Sequence, residues 1–157
     1  AIRGGQKIPA DKIEAFLIQS GKLAALLAFW QTAKHRLLVG FACKKFDLPY
    51  LIQRSRLLGI PHPVLDVGRY SKQGIVDLYL ELTFNDSQDS WCMRRTLHAF
   101  CRRFRIPIED TVQGKNISAL VAAGDWEAVT FHCTSDVRLT LALAQRLGYV
   151  RVEVEAA

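Results

Sequence analysis

The sequence predicts an α/β fold that is rich in helices, and two neighbouring stretches carry that prediction. Residues 37–41 form an unbroken apolar run between charged residues, which is typical of a strand buried on both faces. Residues 47–58 then place apolar side chains at helical spacing, and Gly59 marks the end of that helix. Helical spacing recurs along the chain, so we expect about six helices and one clear strand.

Two helices are predicted before the strand. Residues 11–19 suit a short helix capped by Asp11, within a loosely defined leading segment at residues 1–21. Residues 22–33 give a clearer helix, because their apolar side chains recur with a helical period. We expect Trp30 on that helix to serve packing rather than base stacking.

Asp47 occupies the junction between the predicted strand and the helix that follows it. Its position suits the N-cap of that helix, and Pro49 falls in the first turn, where a missing N–H costs nothing. A second interpretation is that the Asp47 carboxylate is held at the carboxyl end of a central strand, where open α/β sheets bind ligands. The residues alone leave both interpretations open.

The middle of the chain is less regular. Prolines within residues 59–63 end the preceding helix, and residues 64–67 suit a short extended segment. Residues 75–84 fit both the alternation of a strand and the spacing of a helix, and we favour a helix.

The second half of the chain predicts three helices and a weak terminal strand at residues 149–154. Polar residues cap the first and last of these helices, and glycines close the last two. The helices cover residues 91–104, 117–123 and 126–147, with Ser90 and Asp125 as the caps.

Composition bounds the class of protein. The 157 residues suit a single domain over residues 1–157, and the net charge of +6 permits a polyanionic partner. No apolar run approaches the roughly 20 residues of a membrane span and no secretory signal is visible, so we expect no membrane partner. Because the first residue is an alanine, we expect a processed or partial chain. The cysteines lack metal-site spacing and predict reduced thiols in a cytoplasmic protein. They are Cys43, Cys92, Cys101 and Cys133.

His132 and Asp136 lie four residues apart in the last predicted helix, so their side chains share one face. Their neighbours are largely apolar, which predicts a buried or cleft-facing pair. A buried His–Asp pair is more often structural than catalytic. If Asp136 meets Asp47 in the folded chain, the two carboxylates need a cation between them, and Mg²⁺ is the usual one.

Three segments together resemble the DEDD-type 3′–5′ exonucleases of the RNase H-like superfamily, in the branch related to the proofreading domains of DNA polymerase B. The segment VGFACKKFDLPYL at residues 39–51 resembles the second motif of that family. The segment IVDLYLEL at residues 75–82 resembles its His-Leu-Asp-Leu segment. Residues 114–149 resemble its closing segment, in which a Gly-Asp step opens a helix that carries Tyr-x-x-x-Asp.

The resemblance implies an RNase H-like fold with an incomplete central sheet and stepwise removal of nucleotides from the 3′ end of single-stranded DNA or RNA. It assigns Asp47 and Asp136 as two of four metal-binding acids and Asp77 as a supporting acid. His132 takes the place of the tyrosine and becomes the candidate that orients or deprotonates the attacking water. The implied cofactors are two Mg²⁺ or Mn²⁺ ions about 4 Å apart.

Besides His132 in the place of the tyrosine, the chain departs from the family pattern at two places. Ala42 and Cys43 replace the Asn-Gly of the second motif, and residues 1–21 contain no Asp-x-Glu pair of the first motif. We therefore expect the chain to be inactive alone unless another segment or chain supplies that motif and completes the sheet. The alternative is a degenerate, non-catalytic module for nucleic-acid binding or assembly.

One helix-like stretch holds the densest basic cluster of the sequence. Such a cluster is either a nucleic-acid contact or an ordinary solvated face. The resemblance favours nucleic-acid binding by Arg94, Arg95, His98, Arg102 and Arg103.

Overall fold

The computed structural model describes residues 23–71, 74–84, 96–110, 112 and 114–150. The chain divides into two compact units. One, the strand unit, is Phe16–Met93, and the other, the helical unit, combines Ala1–Ala15 with Arg94–Ala157. The described architecture is α/β and helix-rich, with a small parallel sheet. The prediction of a single domain over residues 1–157 stays a prediction.

The strand unit contains a two-stranded parallel sheet. Strand β1 pairs with β2 so that Leu38 lies opposite Ile75 and Gly40 opposite Asp77. The carboxyl ends of both strands therefore lie at one edge of the sheet. The elements of this unit are α1 (Leu23–Ala33), β1 (Leu38–Gly40), α2 (Asp47–Leu57), β2 (Ile75–Asp77) and α3 (Leu78–Leu82).

Helix α1 forms the centre of the strand unit's core. Leu26 and Trp30 are buried against Leu48 and Ile52 of α2 and Ile75 of β2. The indole of Trp30 donates a hydrogen bond of 2.7 Å to the hydroxyl of Ser55, so its one polar atom is satisfied inside the core. The predicted packing role of Trp30 is confirmed.

Helix α2 begins one residue earlier than predicted. Phe46 occupies the N-cap, and Asp47 is the first helical residue, so the prediction that Asp47 is the N-cap was wrong. A carboxylate in the first turn still favours the helix electrostatically. Pro49 lies in that turn as predicted, and Gly59 follows the helix with φ +64°.

The segment over residues 75–84 is a short strand followed by a short helix, so the helix predicted for it is correct only in its second part. Its sequence pattern was ambiguous because both structures are present. The switch occurs at Asp77, whose carboxylate accepts hydrogen bonds from the Tyr79 and Leu80 amides and caps α3. Residues 64–67 have irregular backbone and form no strand.

The helical unit contains α4 (Leu97–Arg103), a 3₁₀ turn (Gly114–Asn116), α5 (Ile117–Ala123) and α6 (Trp126–Arg146). Thr96 caps α4 through a 3.2 Å hydrogen bond from the Ala99 amide. The helix predicted from residue 91 with Ser90 as cap therefore begins at Leu97, and residues 85–95 lie outside the described part.

The predictions for α5 and α6 are confirmed. Gly124 follows α5 in the left-handed conformation, and Asp125 caps α6 through a 3.0 Å hydrogen bond from the Ala128 amide. Helix α6 packs against α4, burying Cys101, Leu139 and Leu143. The helix predicted over residues 11–19 and most of the strand predicted over residues 149–154 lie outside the described part. Within the ranges that are described, no helix has both the length and the apolar character to span a bilayer.

Candidate active-site residues

Asp77 ends β2 with a buried carboxylate that backbone amides surround. Its Oδ1 accepts from the Ala42 amide at 2.9 Å and the Tyr79 amide at 3.0 Å, and its Oδ2 accepts from the Lys44 amide at 3.0 Å. The side chain therefore ties the loop between β1 and α2 to the start of α3. The predicted role of Asp77 as a supporting acid stays a prediction, and its observed contacts are structural.

The loop between β1 and α2 has two unusual backbone positions. Ala42 has φ +56°, a conformation that Gly adopts readily and Asn tolerates better than most residues, and that strains alanine. Gly40 is packed so closely that a Cβ placed on it would lie 2.6 Å from the Cβ of Cys43. At Ala42 the loop thus adopts a conformation that glycine or asparagine would suit better than alanine.

Lys44 also holds this loop in place, through its side chain. Its side chain is buried, and its ammonium donates to the backbone carbonyls of Gly68 and Ser71. Because carbonyl oxygens satisfy this cation, it serves to hold the loop to the segment before β2.

Asp47 follows this loop, in the exposed first turn of α2. It therefore lies just beyond the carboxyl end of β1, which is the edge where parallel α/β sheets bind ligands. The second interpretation of Asp47, as a ligand-binding carboxylate at the carboxyl end of a strand, stays a prediction.

In the helical unit, His132 is held by a carboxylate that the sequence did not reveal. The Nδ1 of His132 lies 2.5 Å from Oδ2 of Asp110, whose side chain is fully buried. The other oxygen of Asp110 accepts from the Val112 amide at 2.8 Å. Both oxygens of this buried carboxylate are therefore satisfied.

The contacts of Asp110 decide its ionisation. Burial raises the pKa of its carboxyl, but the hydrogen bonds from Val112 and His132 and the charges of His132 and His98 outweigh burial and hold the pKa below its usual value. Asp110 is therefore ionised at neutral pH and accepts hydrogen bonds only. It follows that Nδ1 of His132 carries a proton and donates the hydrogen bond to Asp110.

Asp136 lies on the same face of α6 as His132, as the spacing predicts. Its Oδ2 is 3.7 Å from Nε2 of His132, and its Oδ1 is 3.7 Å from Nε2 of His98 on α4. These distances are ion-pair contacts rather than hydrogen bonds. The Asp136 side chain is 45% exposed, whereas His132 is buried, so the pair lies at a boundary between core and solvent.

The predicted basic cluster is described only in part, because Arg94 and Arg95 lie outside the described residues. Arg102 and Arg103 are exposed in the last turn of α4, and the Arg103 guanidinium lies 5.3 Å from the centre of the Phe100 ring. His98 faces Asp136 and is therefore paired with an acid. Nucleic-acid binding by these residues stays a prediction.

Thiol chemistry is disfavoured at the described cysteines. Burial, with the charges of Asp77 and Asp47, raises the pKa of Cys43 to about 12, and burial with the charge of Asp136 raises that of Cys101 to about 11. Both thiols stay protonated at neutral pH and are poor nucleophiles. Along with Cys133 they are free, as predicted, while Cys92 lies outside the described residues.

Hard oxygen donors suit Mg²⁺ and Mn²⁺, and Asp47 and Asp136 offer such donors with access to solvent. Within the described ranges, however, no three His, Cys, Asp or Glu side chains are grouped so that they hold a metal ion. The two predicted ligands thus fit by donor chemistry, each in its own unit. The chain matches no protein-family model, no curated protein and no solved structure.

Proposed function

We propose that this chain is a 3′–5′ exonuclease-like domain of the RNase H-like kind, which acts on nucleic-acid 3′ ends by metal-dependent hydrolysis when another segment or chain supplies the first motif. The observation that carries the proposal is the exposed Asp47 carboxylate in the first turn of α2, after the loop that follows the carboxyl end of a parallel strand. It joins the sequence resemblance at residues 39–51 to the sheet edge at which α/β proteins bind ligands.

The different environments of four aspartates support the assignment of their roles. Asp77 and Asp110 are buried, and their oxygens accept hydrogen bonds from the protein. Asp47 and Asp136 are accessible, and these are the two that the resemblance assigns to metal. A divalent cation requires oxygen ligands that water can reach.

His132 suits the acceptance of a proton from water. Asp110 holds the ring through Nδ1, which directs Nε2 towards Asp136. Asp47 and Asp136 would each offer an oxygen ligand to a divalent cation, which would lower the pKa of a coordinated water and stabilise charge on the phosphate. His132 would accept the proton of the attacking water at Nε2, and the ionised Asp110 would stabilise the imidazolium. Hydrolysis further requires the first-motif carboxylates, which residues 1–21 do not contain.

Metal binding at the two acids can be tested on this chain without turnover. Mn²⁺ added to the labelled protein is expected to broaden the amide resonances nearest Asp47 and Asp136, and an excess of Mg²⁺ should reverse the broadening. Asp47→Asn and Asp136→Asn should each remove the effect locally. Glu127→Gln is the matched control, because Glu127 is an exposed carboxylate on the same helix as Asp136. Unchanged broadening in both Asn variants would refute the metal assignment.

The second candidate is a non-catalytic nucleic-acid-binding module. The observation that favours it is the commitment of Asp77 and Asp110 to structural hydrogen bonds, with the first motif absent from residues 1–21. It predicts salt-sensitive binding of single strands in EDTA. In separate samples with Mn²⁺ it predicts no broadening at Asp136 and no shortening of a 5′-labelled strand. If the chain binds neither a metal ion nor a single strand, both functions are excluded.

A further inference from the structure

The side of α2 that points away from the core carries apolar side chains. Leu48 and Ile52 pack into the core, whereas Tyr50 is 58% exposed and Leu57 is 81% exposed. Tyr50 and Leu57 lie two helical turns apart in sequence, so both lie on the same side of the helix. We call this side the outer face of α2. Its residues are Tyr50, Gln53, Arg54 and Leu57.

The Phe46 ring extends the apolar surface beyond the end of the outer face. This ring is 70% exposed and lies beside the Tyr50 ring, with the two centroids 6.4 Å apart and an interplanar angle of 9°. Exposed apolar side chains that adjoin one another within a polar rim are typical of surfaces that bind another protein. The outer face therefore has the apolar part of such a surface.

The charges around the outer face are almost all positive. Arg54 follows Tyr50 by four residues and precedes Leu57 by three, so it lies between them on the same face. Arg56 is exposed in the same turn of the helix, and Asp47 in the first turn is the one acid of α2. A partner that complements this face therefore brings carboxylates next to apolar side chains. A second copy of the chain would instead place one basic face against another.

We propose that the outer face of α2 binds an acidic amphipathic helix of a partner protein. Its apolar side chains would cover Tyr50 and Leu57, and its carboxylates would pair with Arg54 and Arg56. Amphipathic helices bind other proteins through apolar residues at helical spacing, and opposite charges at the rim fix their orientation. The inference goes beyond the proposed function, because it involves neither a metal ligand nor the 3′ end of a nucleic acid.

Leu57 favours a protein partner over a nucleic acid. Its aliphatic side chain offers no flat ring for a base and no charge for a phosphate. It packs well against the aliphatic side chains of another helix, which make many short-range contacts with it. An apolar residue this exposed is thus complemented by an apolar helix face and not by a sugar–phosphate strand.

The probe for the test is a fluorescein-labelled peptide of about 15 residues, long enough to form a helix, with leucines along one face and glutamates along the other. Its binding to the whole chain is measured by fluorescence anisotropy. One comparison peptide has the same residues in an order that breaks the apolar face, and a second has lysines in place of the glutamates. The wild type should bind the acidic amphipathic peptide about tenfold or more tightly than either, with an affinity that falls as salt rises.

Two double variants separate the apolar contact from the charges. Tyr50→Ser/Leu57→Ser should bind the acidic peptide about tenfold or more weakly with an unchanged dependence on salt, because it removes apolar surface and no charge. Arg54→Gln/Arg56→Gln should also bind more weakly, and its affinity should depend less on salt.

The matched controls change residues of the same kinds at the other side of the strand unit's core. Leu23→Ser replaces an apolar residue of α1 that is 50% exposed, and Lys34→Gln/Arg36→Gln removes two exposed cations after α1. Both controls should bind the acidic peptide like the wild type. Circular dichroism checks that each variant is folded.

The inference is overturned if the wild type does not bind the acidic peptide, or binds the peptide with the broken apolar face equally tightly. It is also overturned if Tyr50→Ser/Leu57→Ser binds the acidic peptide like the wild type. If that variant loses affinity for a thymidine oligonucleotide and not for the peptide, the outer face is a nucleic-acid contact. If sedimentation shows that it changes a dimer to a monomer while peptide binding is unchanged, the face is a contact between copies of the chain. Either of these last two results also overturns the inference.

Discussion

The contact between Asp110 and His132 predicts a specific response to Asp110→Asn. The substitution replaces a buried carboxylate that accepts from His132 Nδ1 at 2.5 Å and from the Val112 amide at 2.8 Å. An asparagine accepts from only one of them with its oxygen, and its NH₂ group then faces the remaining donor. The loss of one charge-assisted hydrogen bond in this buried position is expected to cost about 1.5–3 kcal/mol.

The measurement is urea unfolding followed by the amide resonances of α6, at several pH values. The pKa of Asp110 is lowered in the folded protein. Its contribution to the free energy of unfolding is therefore fully present above the pKa of the unfolded chain, about 4, and is lost as pH falls through the lower pKa of the folded protein. The stability difference between wild type and Asp110→Asn should therefore be present at neutral pH and shrink in acid. Nitrogen chemical shifts should also show the His132 proton moving from Nδ1 to Nε2 in the variant.

The neighbouring Glu109 provides the control, because it is exposed and Glu109→Gln removes the same charge. This control should change the free energy of unfolding by less than about 0.5 kcal/mol. Equal stability of Asp110→Asn and wild type at neutral pH would refute the reasoning. So would a difference that stays constant down to strong acid, or a His132 tautomer that does not change.

Three further predictions concern the strand unit and the thiols. Gly40→Ala should destabilise the protein by about 1–3 kcal/mol in urea unfolding, because its Cβ would lie 2.6 Å from that of Cys43. Gly114→Ala is the control and should leave the stability nearly unchanged, since nothing lies within 4 Å of a Cβ at that position. Ala42→Gly should stabilise by roughly 0.5–1 kcal/mol, since relief of the strain at φ +56° exceeds the entropy cost of glycine, and a loss of stability would contradict this. Cys43 should react with iodoacetamide at pH 8 far more slowly in the folded protein than in urea, because its pKa of about 12 leaves it protonated, and equal rates would be the contrary result.

Local sequence signals sufficed for the elements whose causes are local. Helices α1, α5 and α6 followed from apolar periodicity, from the cap at Asp125 and from glycines that end the last two. Strand β1 followed from an apolar run too short for a helix. The segment at residues 75–84 was misjudged because its pattern fits both structures. The choice of strand for Ile75–Asp77 comes from parallel pairing with β1, which lies 37 residues away at Leu38↔Ile75.

In the candidate site, too, local spacing was predictable from the sequence and the long-range contact was not. The pairing of His132 with Asp136 follows from helical spacing, and the accessible position of Asp47 follows from the strand-to-helix junction. Asp110 was missed because it lies in an irregular segment 22 residues before His132, where no periodicity connects them. One signal was present: a histidine on an apolar helix face requires a partner for its ring N–H, and an acid at i+4 reaches only one of its two nitrogens.

The most direct test of the exonuclease-like assignment is the Mn²⁺ titration of the isotope-labelled chain. The account predicts broadening of the amide resonances at Asp47 and Asp136, reversed by Mg²⁺, lost locally in Asp47→Asn and Asp136→Asn, and retained in Glu127→Gln. Broadening that is uniform over the acidic surface, or that survives in both Asn variants, would contradict the assignment of these two carboxylates to metal.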